Sequence, residues 1–64
     1  MPIVNIKIWE GRTDDAAKEN LIKDVTDAVV KNIKCPAQAV DVCIDEVPMK
    51  NWGRGGVVSS KLNL

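Results

Sequence analysis

Two runs of alternating residues flank a long stretch that carries a helical stripe. Val4, Ile6 and Ile8 point to one side of an extended segment, and Asn5 and Lys7 point to the other. Val40, Val42 and Ile44 repeat this pattern against Asp41, Cys43 and Asp45. Between the runs, Ala17, Leu21, Ile22, Val25, Ala28, Val29 and Ile33 recur at i, i+3 and i+4 spacing. That is the core-facing stripe of a helix from about Asp14 to Ile33. Strand, helix, strand predicts a βαβ unit, with parallel strands and a right-handed crossover. The fold class expected is therefore α/β (α+β), with the strands at Pro2 to Ile8 and Val40 to Val47.

Local signals fit that frame. Gly11, in Glu10-Gly11-Arg12, is free to take positive φ and break the first strand. Thr13 or Asp14 can cap the helix, and Asp14 and Asp15 suit the positive end of its dipole. Glu19–Lys23 and Asp27–Lys31 stand in the favourable acid-first i, i+4 order. Lys31 and Lys34 lie at the negative end of the dipole, and Pro36 stops the helix by disfavouring α geometry at Cys35. Pro48 ends the second strand. The glycine-dense tail from Asn51 to Val58 reads as a hairpin rather than a phosphate cradle.

Sixty-four residues make a single domain, 1–64. A chain this short buries only about 60% of its unfolded surface. Its apolar residues are mostly aliphatic, and Trp9 and Trp52 are the only aromatic side chains, so the core is thin. A two-stranded sheet under one helix also leaves a face and two edges uncovered. Self-association is the expected source of further burial, with the hairpin reaching across to a partner subunit. Cys35 and Cys43 form at most one bridge, and their spacing is no metal pattern. Free thiols in a reducing cytoplasm are the simpler reading. Cys35 reads as a small apolar filler and Trp9 as a subunit contact. Nine basic and nine acidic residues cancel, which argues against nucleic acid or an anionic membrane as partner. No apolar run approaches the roughly 20 residues of a membrane span, and the first residues lack a signal peptide's apolar stretch.

The chain has no histidine, so the usual acid/base at neutral pH is missing. Removal of Met1 would leave Pro2 with a free secondary amine at the head of the first strand. Composition alone leaves open whether that amine does chemistry, since proline is a common second residue.

Taken together, these residues resemble the 4-oxalocrotonate tautomerase family, the small-subunit branch of the tautomerase superfamily. The likeness rests on Met1-Pro2-Ile3, on Ile6-x-Ile8-x-Glu10-Gly11-Arg12-x-Asp14, on the Leu21-Ile22 helix and on Pro36. It continues through Val40-x-Val42-x-Ile44-x-Glu46, Trp52-Gly53-x-Gly55-Gly56 and Ser60-Lys61. The resemblance implies dimers that join their sheets into four strands, with three dimers forming a homohexamer. It also implies a cytoplasmic isomerase that needs no metal or organic cofactor and serves in the breakdown of aromatic compounds. Its small-molecule substrate would be an unsaturated 2-hydroxy acid, converted to the 2-oxo isomer. Pro2 would be the general base and acid, its pKa lowered by burial and a nearby cation. Arg12 would hold a substrate carboxylate, which suits a planar fork donor. Trp52, where the family typically has Phe, would wall the site and exclude water.

One position departs from the family pattern. Asp41 stands where the best-known members carry a second arginine, for the carboxylate and 2-oxygen end of the substrate. An acid there repels a diacid and raises the pKa of a nearby ammonium. Arg54, in the hairpin, substitutes for the missing arginine if it folds toward the site; otherwise it is a solvated loop residue. Asp41 also opens a second reading, hydratase-like or dehalogenase-like water addition, with Asp41 activating water and a protonated Pro2 delivering the proton. A third reading, a non-catalytic assembly module, holds if Met1 is retained, because the Pro2 nitrogen is then an amide.

Overall fold

The computed structural model of the chain describes residues 2–62. β1 (Ile3–Trp9) leads into α1 (Asp15–Ile33), which returns to β2 (Asp41–Val47). A short ribbon follows, with β3 (Gly53–Arg54) antiparallel to β4 (Val57–Val58). Single 3-10 turns lie at Ala37–Ala39, Met49–Asn51 and Ser59–Lys61, and none of the three is anticipated from the sequence pattern. β1 and β2 run parallel, in a register that sets Ile3 beside Asp41 and Trp9 beside Val47. This is the βαβ unit with a C-terminal hairpin that the two alternating runs predict. No helix among the described residues is long and apolar enough to cross a membrane.

The alternation holds residue by residue. Val4, Ile6, Ile8, Val42 and Ile44 are half-buried on one face of the sheet. Ile3, Asn5, Lys7, Asp41, Cys43 and Asp45 are exposed on the other, as a period-2 strand requires. At the start of the helix, Asp14 is the cap, its Oδ1 accepting the Ala17 N–H at 2.8 Å. The stop differs from the expectation. Lys34, at φ 62°, adopts the left-handed conformation and donates its N–H to the Val30 carbonyl. The helix is thus closed before Pro36 can act; a left-handed residue satisfies an orphan carbonyl by itself. The charge pairs differ too. Lys23 bonds forward to Asp27 at 3.0 Å, so this face uses a base-first pair, and Asp27 is engaged one turn earlier than the spacing predicts.

Among the described residues, one ion pair joins the helix to the sheet. Lys18 Nζ lies 2.9 Å from Glu46 Oε2, and each side chain keeps less than a third of its surface exposed. The hydrogen bond to Glu46, ahead of charge attraction to the same group, raises the Lys18 pKa above its ordinary 10.5. A raised pKa means the folded state binds this proton more tightly than the unfolded state does. The resulting stability is complete below pH 10.5 and is lost as pH climbs through the raised value. Lys18→Met therefore lowers Tm at pH 7, and thermal melts of the two proteins converge in strongly alkaline buffer. A Tm gap of constant size across that range would contradict this assignment.

The interior is thinner than the helical stripe predicts. Among the described residues no apolar side chain is fully buried. Leu21, Val25, Val29 and Val30 are half-buried, while Ile22 keeps 40% and Ile33 61% of its surface exposed. The stripe is wider than two strands can cover, so its margins stay open. The surface area is 4851 Å², against about 4000 Å² for a folded monomer of this mass. The radius of gyration is 14.6 Å, against about 11 Å for a compact chain of this length. The body measures 42 × 24 × 14 Å, roughly one helix laid on one sheet.

Candidate active site

The parallel register decides which of the expected residues meet. Pro2 is half-buried just ahead of β1, and its carbonyl accepts the Asp41 N–H at 3.0 Å. That bond extends the ladder by one step and places the heads of both strands side by side. Pro2 and Asp41 therefore stand at one end of the sheet. Met1, on whose removal a free Pro2 amine depends, lies outside the described residues.

Arg12 and Trp52 stand at the other end. β1 has seven residues, so Trp9 lies about 20 Å from the strand head at 3.3 Å per residue. There the Glu10 N–H donates to the Val47 carbonyl at 2.9 Å, and Gly11 turns the chain at φ 81°. A side chain at that angle is strained whatever space surrounds it, which is why glycine suits the turn. The turn folds Arg12 back onto the strand it has just left. Its guanidinium carbon sits 4.7 Å from the centre of the Trp9 ring, within cation–π range.

Trp52 meets the same ring edge-on, with centroids 5.6 Å apart and planes at 73°. It follows the 3-10 turn at Met49–Asn51, and its carbonyl accepts the Ser59 N–H, closing the base of the ribbon. An open groove of about 350 Å³ runs along this corner, lined by Lys7, Val47, Asn51, Trp52 and Gly53. Lys7 is held there by Asp45 at 2.7 Å. Arg54 is exposed in β3, opposite Val57.

Within one protomer, then, the fold gathers Arg12 with Trp52, gathers Pro2 with Asp41, and keeps the two pairs a strand's length apart. Trp9, read from sequence as a subunit contact, links Arg12 and Trp52 within the protomer. A signal was present: a cation three residues past an aromatic, across a glycine turn. Lys7 in the groove wall was not anticipated as a site residue either. Cys35 is half-buried and Cys43 exposed, both as free thiols.

The sequence model of a family described as tautomerase enzyme matches residues 2–62. The chain belongs to the tautomerase family. Its place in the 4-oxalocrotonate tautomerase branch follows from its relatives. The chain is 43% identical to a 2-hydroxymuconate tautomerase of Pseudomonas putida over 98% of both chains. It superposes on a 4-oxalocrotonate tautomerase isozyme of Methylibium petroleiphilum with a TM-score of 0.88 and 38% identity, covering 98% of this chain and all of that one. A heterohexameric 4-oxalocrotonate tautomerase of Chloroflexus aurantiacus gives a TM-score of 0.88 at 28% identity, with the same coverage. Enzymes of this tautomerase family are isomerases, and the chain shares their subunit fold over its described length.

Proposed function

We propose that this chain is a cofactor-independent tautomerase, acting on a 2-hydroxydienoate and returning the 2-oxo isomer. The observation that carries this reading is Pro2 at the head of β1, half-buried, in a chain that matches a 2-hydroxymuconate tautomerase from end to end. The amine takes the proton of the 2-hydroxyl, the electron pair moves through the conjugated system, and the amine returns a proton to a carbon further along. A secondary amine shielded from bulk water is suited to this work near neutral pH. Arg12 anchors a substrate carboxylate, and Trp52 supplies the apolar wall.

The geometry adds a condition. Pro2 and Arg12 are separated by the length of β1, and a small dienoate cannot bridge about 20 Å. A site that uses both takes Pro2 from one copy and Arg12 from another. The open stripe margins and the excess surface support such an assembly, a homohexamer of three dimers in this reading.

Asp41 favours one alternative. Its backbone is bonded to Pro2, so its carboxylate belongs to the proline end of the sheet, where a diacid would meet repulsion. A carboxylate there suits water activation, with Pro2 held protonated as the acid. The NMR titration of the Pro2 amine separates the two chemistries, after intact mass spectrometry establishes that Met1 is gone. The tautomerase reading expects a pKa below the unperturbed α-amino range of about 8. A value above that range would exclude a general base at neutral pH, and a retained methionine would exclude both chemistries.

A further inference from the structure

We propose that Lys7 is a specificity-determining residue, the cation that receives the carboxylate distal to the substrate's 2-hydroxyl. The inference rests on the reading of this corner as a dienoate site, and it narrows the substrate class to a conjugated diacid. Lys7 stands two residues before Trp9 in β1, so the two side chains lie on one face of the sheet. Trp52 packs edge-on against Trp9, and the groove of about 350 Å³ is lined by both Trp52 and Lys7. Its other walls are Val47, Asn51 and Gly53. None of these five residues is an acid, so the groove joins an apolar, aromatic wall to one positive charge. That combination suits a small planar molecule with an anionic end.

Lys7 is held ready for this role. Its Nζ donates to Asp45 Oδ2 at 2.7 Å, across the strands at the facing position of the register. An ammonium has three donors, so the bond to Asp45 leaves two for a ligand. The same bond fixes a long side chain against the groove wall, which lowers the ordering cost of binding. Lys7 keeps 66% of its side-chain surface exposed, so meeting a carboxylate there costs little desolvation. Exposure and the charge of Asp45 also limit the gain. Lys7 then acts as a rim ion pair, worth several-fold in affinity rather than orders of magnitude. A substrate with an apolar group in this place packs on Trp52 and gains nothing from the ammonium.

The test compares Lys7→Gln, Lys7→Arg and Lys31→Gln in the assembled enzyme. Lys31 is exposed on α1, and its substitution makes the same change in net charge away from the groove. Two substrates are used. One is 2-hydroxymuconate, and the other is phenylenolpyruvate, which carries a phenyl group in place of the arm bearing the distal carboxylate. Lys7→Gln is expected to raise KM for the diacid about fivefold, with kcat and the phenyl substrate little changed. Lys7→Arg keeps the charge and is expected to stay within about twofold of wild type, and Lys31→Gln is expected to match wild type. Calorimetric titration with muconate, the diacid without the 2-hydroxyl, gives a readout independent of turnover, with the same loss of affinity in Lys7→Gln. An unchanged muconate affinity in Lys7→Gln would overturn the proposal. So would an equal KM rise for both substrates, or an equal loss of muconate affinity in Lys31→Gln. Absence of turnover in every protein, beside a muconate affinity that depends on Lys7, would instead sink the tautomerase reading alone.

Discussion

Pro2→Ala is expected to lower kcat/KM for 2-hydroxymuconate by about 10²-fold, the low end of what a placed acid/base contributes. The low end applies because an alanine terminus still carries an amine; what it loses is the ring that fixes where the lone pair points. Arg12→Ala is expected to weaken the same reaction mainly through KM. The informative experiment mixes the two. If each site draws Pro2 and Arg12 from different copies, co-refolding equal amounts of the two variants regenerates intact sites. Random assembly of a symmetric oligomer makes about a quarter of them wild type. Assayed with substrate well below KM, where Arg12→Ala is expected to cost far more than threefold, the mixture is then more active than either parent. A site built within one chain has no route to recovery, and a mixture no better than its parents would refute the shared-site geometry.

The second large effect concerns stability. No apolar side chain among the described residues is fully buried, so an isolated subunit has little to offset its conformational entropy. The surplus surface over a compact monomer, about 800 Å², is close to one partner's share of a standard interface. Folding and association should therefore be one event. Diluting the protein about a thousandfold is expected to lower Tm by roughly 15 °C or more, through mass action on the subunit equilibrium. Differential scanning fluorimetry at high concentration and tryptophan fluorescence at low concentration cover the range. A Tm that stays constant across the dilution would mean that the subunit is stable alone.

The sequence carried the topology because its signals are local and periodic. Period 2 in Val4–Ile8 and Val40–Ile44, and the wider stripe between them, leave few ways to arrange one helix and two strands. Asp14 as cap and Gly11 as turn were legible for the same reason, each being set by its own backbone. The helix stop was not legible. A lysine in the left-handed conformation has no sequence signature, and proline two residues on was the louder signal. The margins of the stripe were misread because Ile22 and Ile33 have the spacing of core residues, and only a count of available strands shows that two cannot cover them. In the site, the chemistry-bearing residues could be named but not grouped. Which end of the sheet holds Asp41 follows from the parallel register, and the register depends on pairing between residues 38 positions apart in sequence. Trp9 was read only as a subunit contact, one residue past the expected strand; its place beneath Arg12 depends on the left-handed Gly11, which folds the turn back onto β1.

The distance between Pro2 and Arg12 has a consequence for inheritance. When each subunit lends its head to one site and its turn to another, no gene copy owns a complete site. A damaging change at either residue is diluted through the assembly rather than confined to the chain that bears it. A duplicated gene can lose the proline in one copy and the arginine in the other, and the pair still yields working sites whenever the two products assemble together. Selection then acts on the partnership, and an assembly of unlike chains becomes something that drift alone can reach and reversal cannot easily undo.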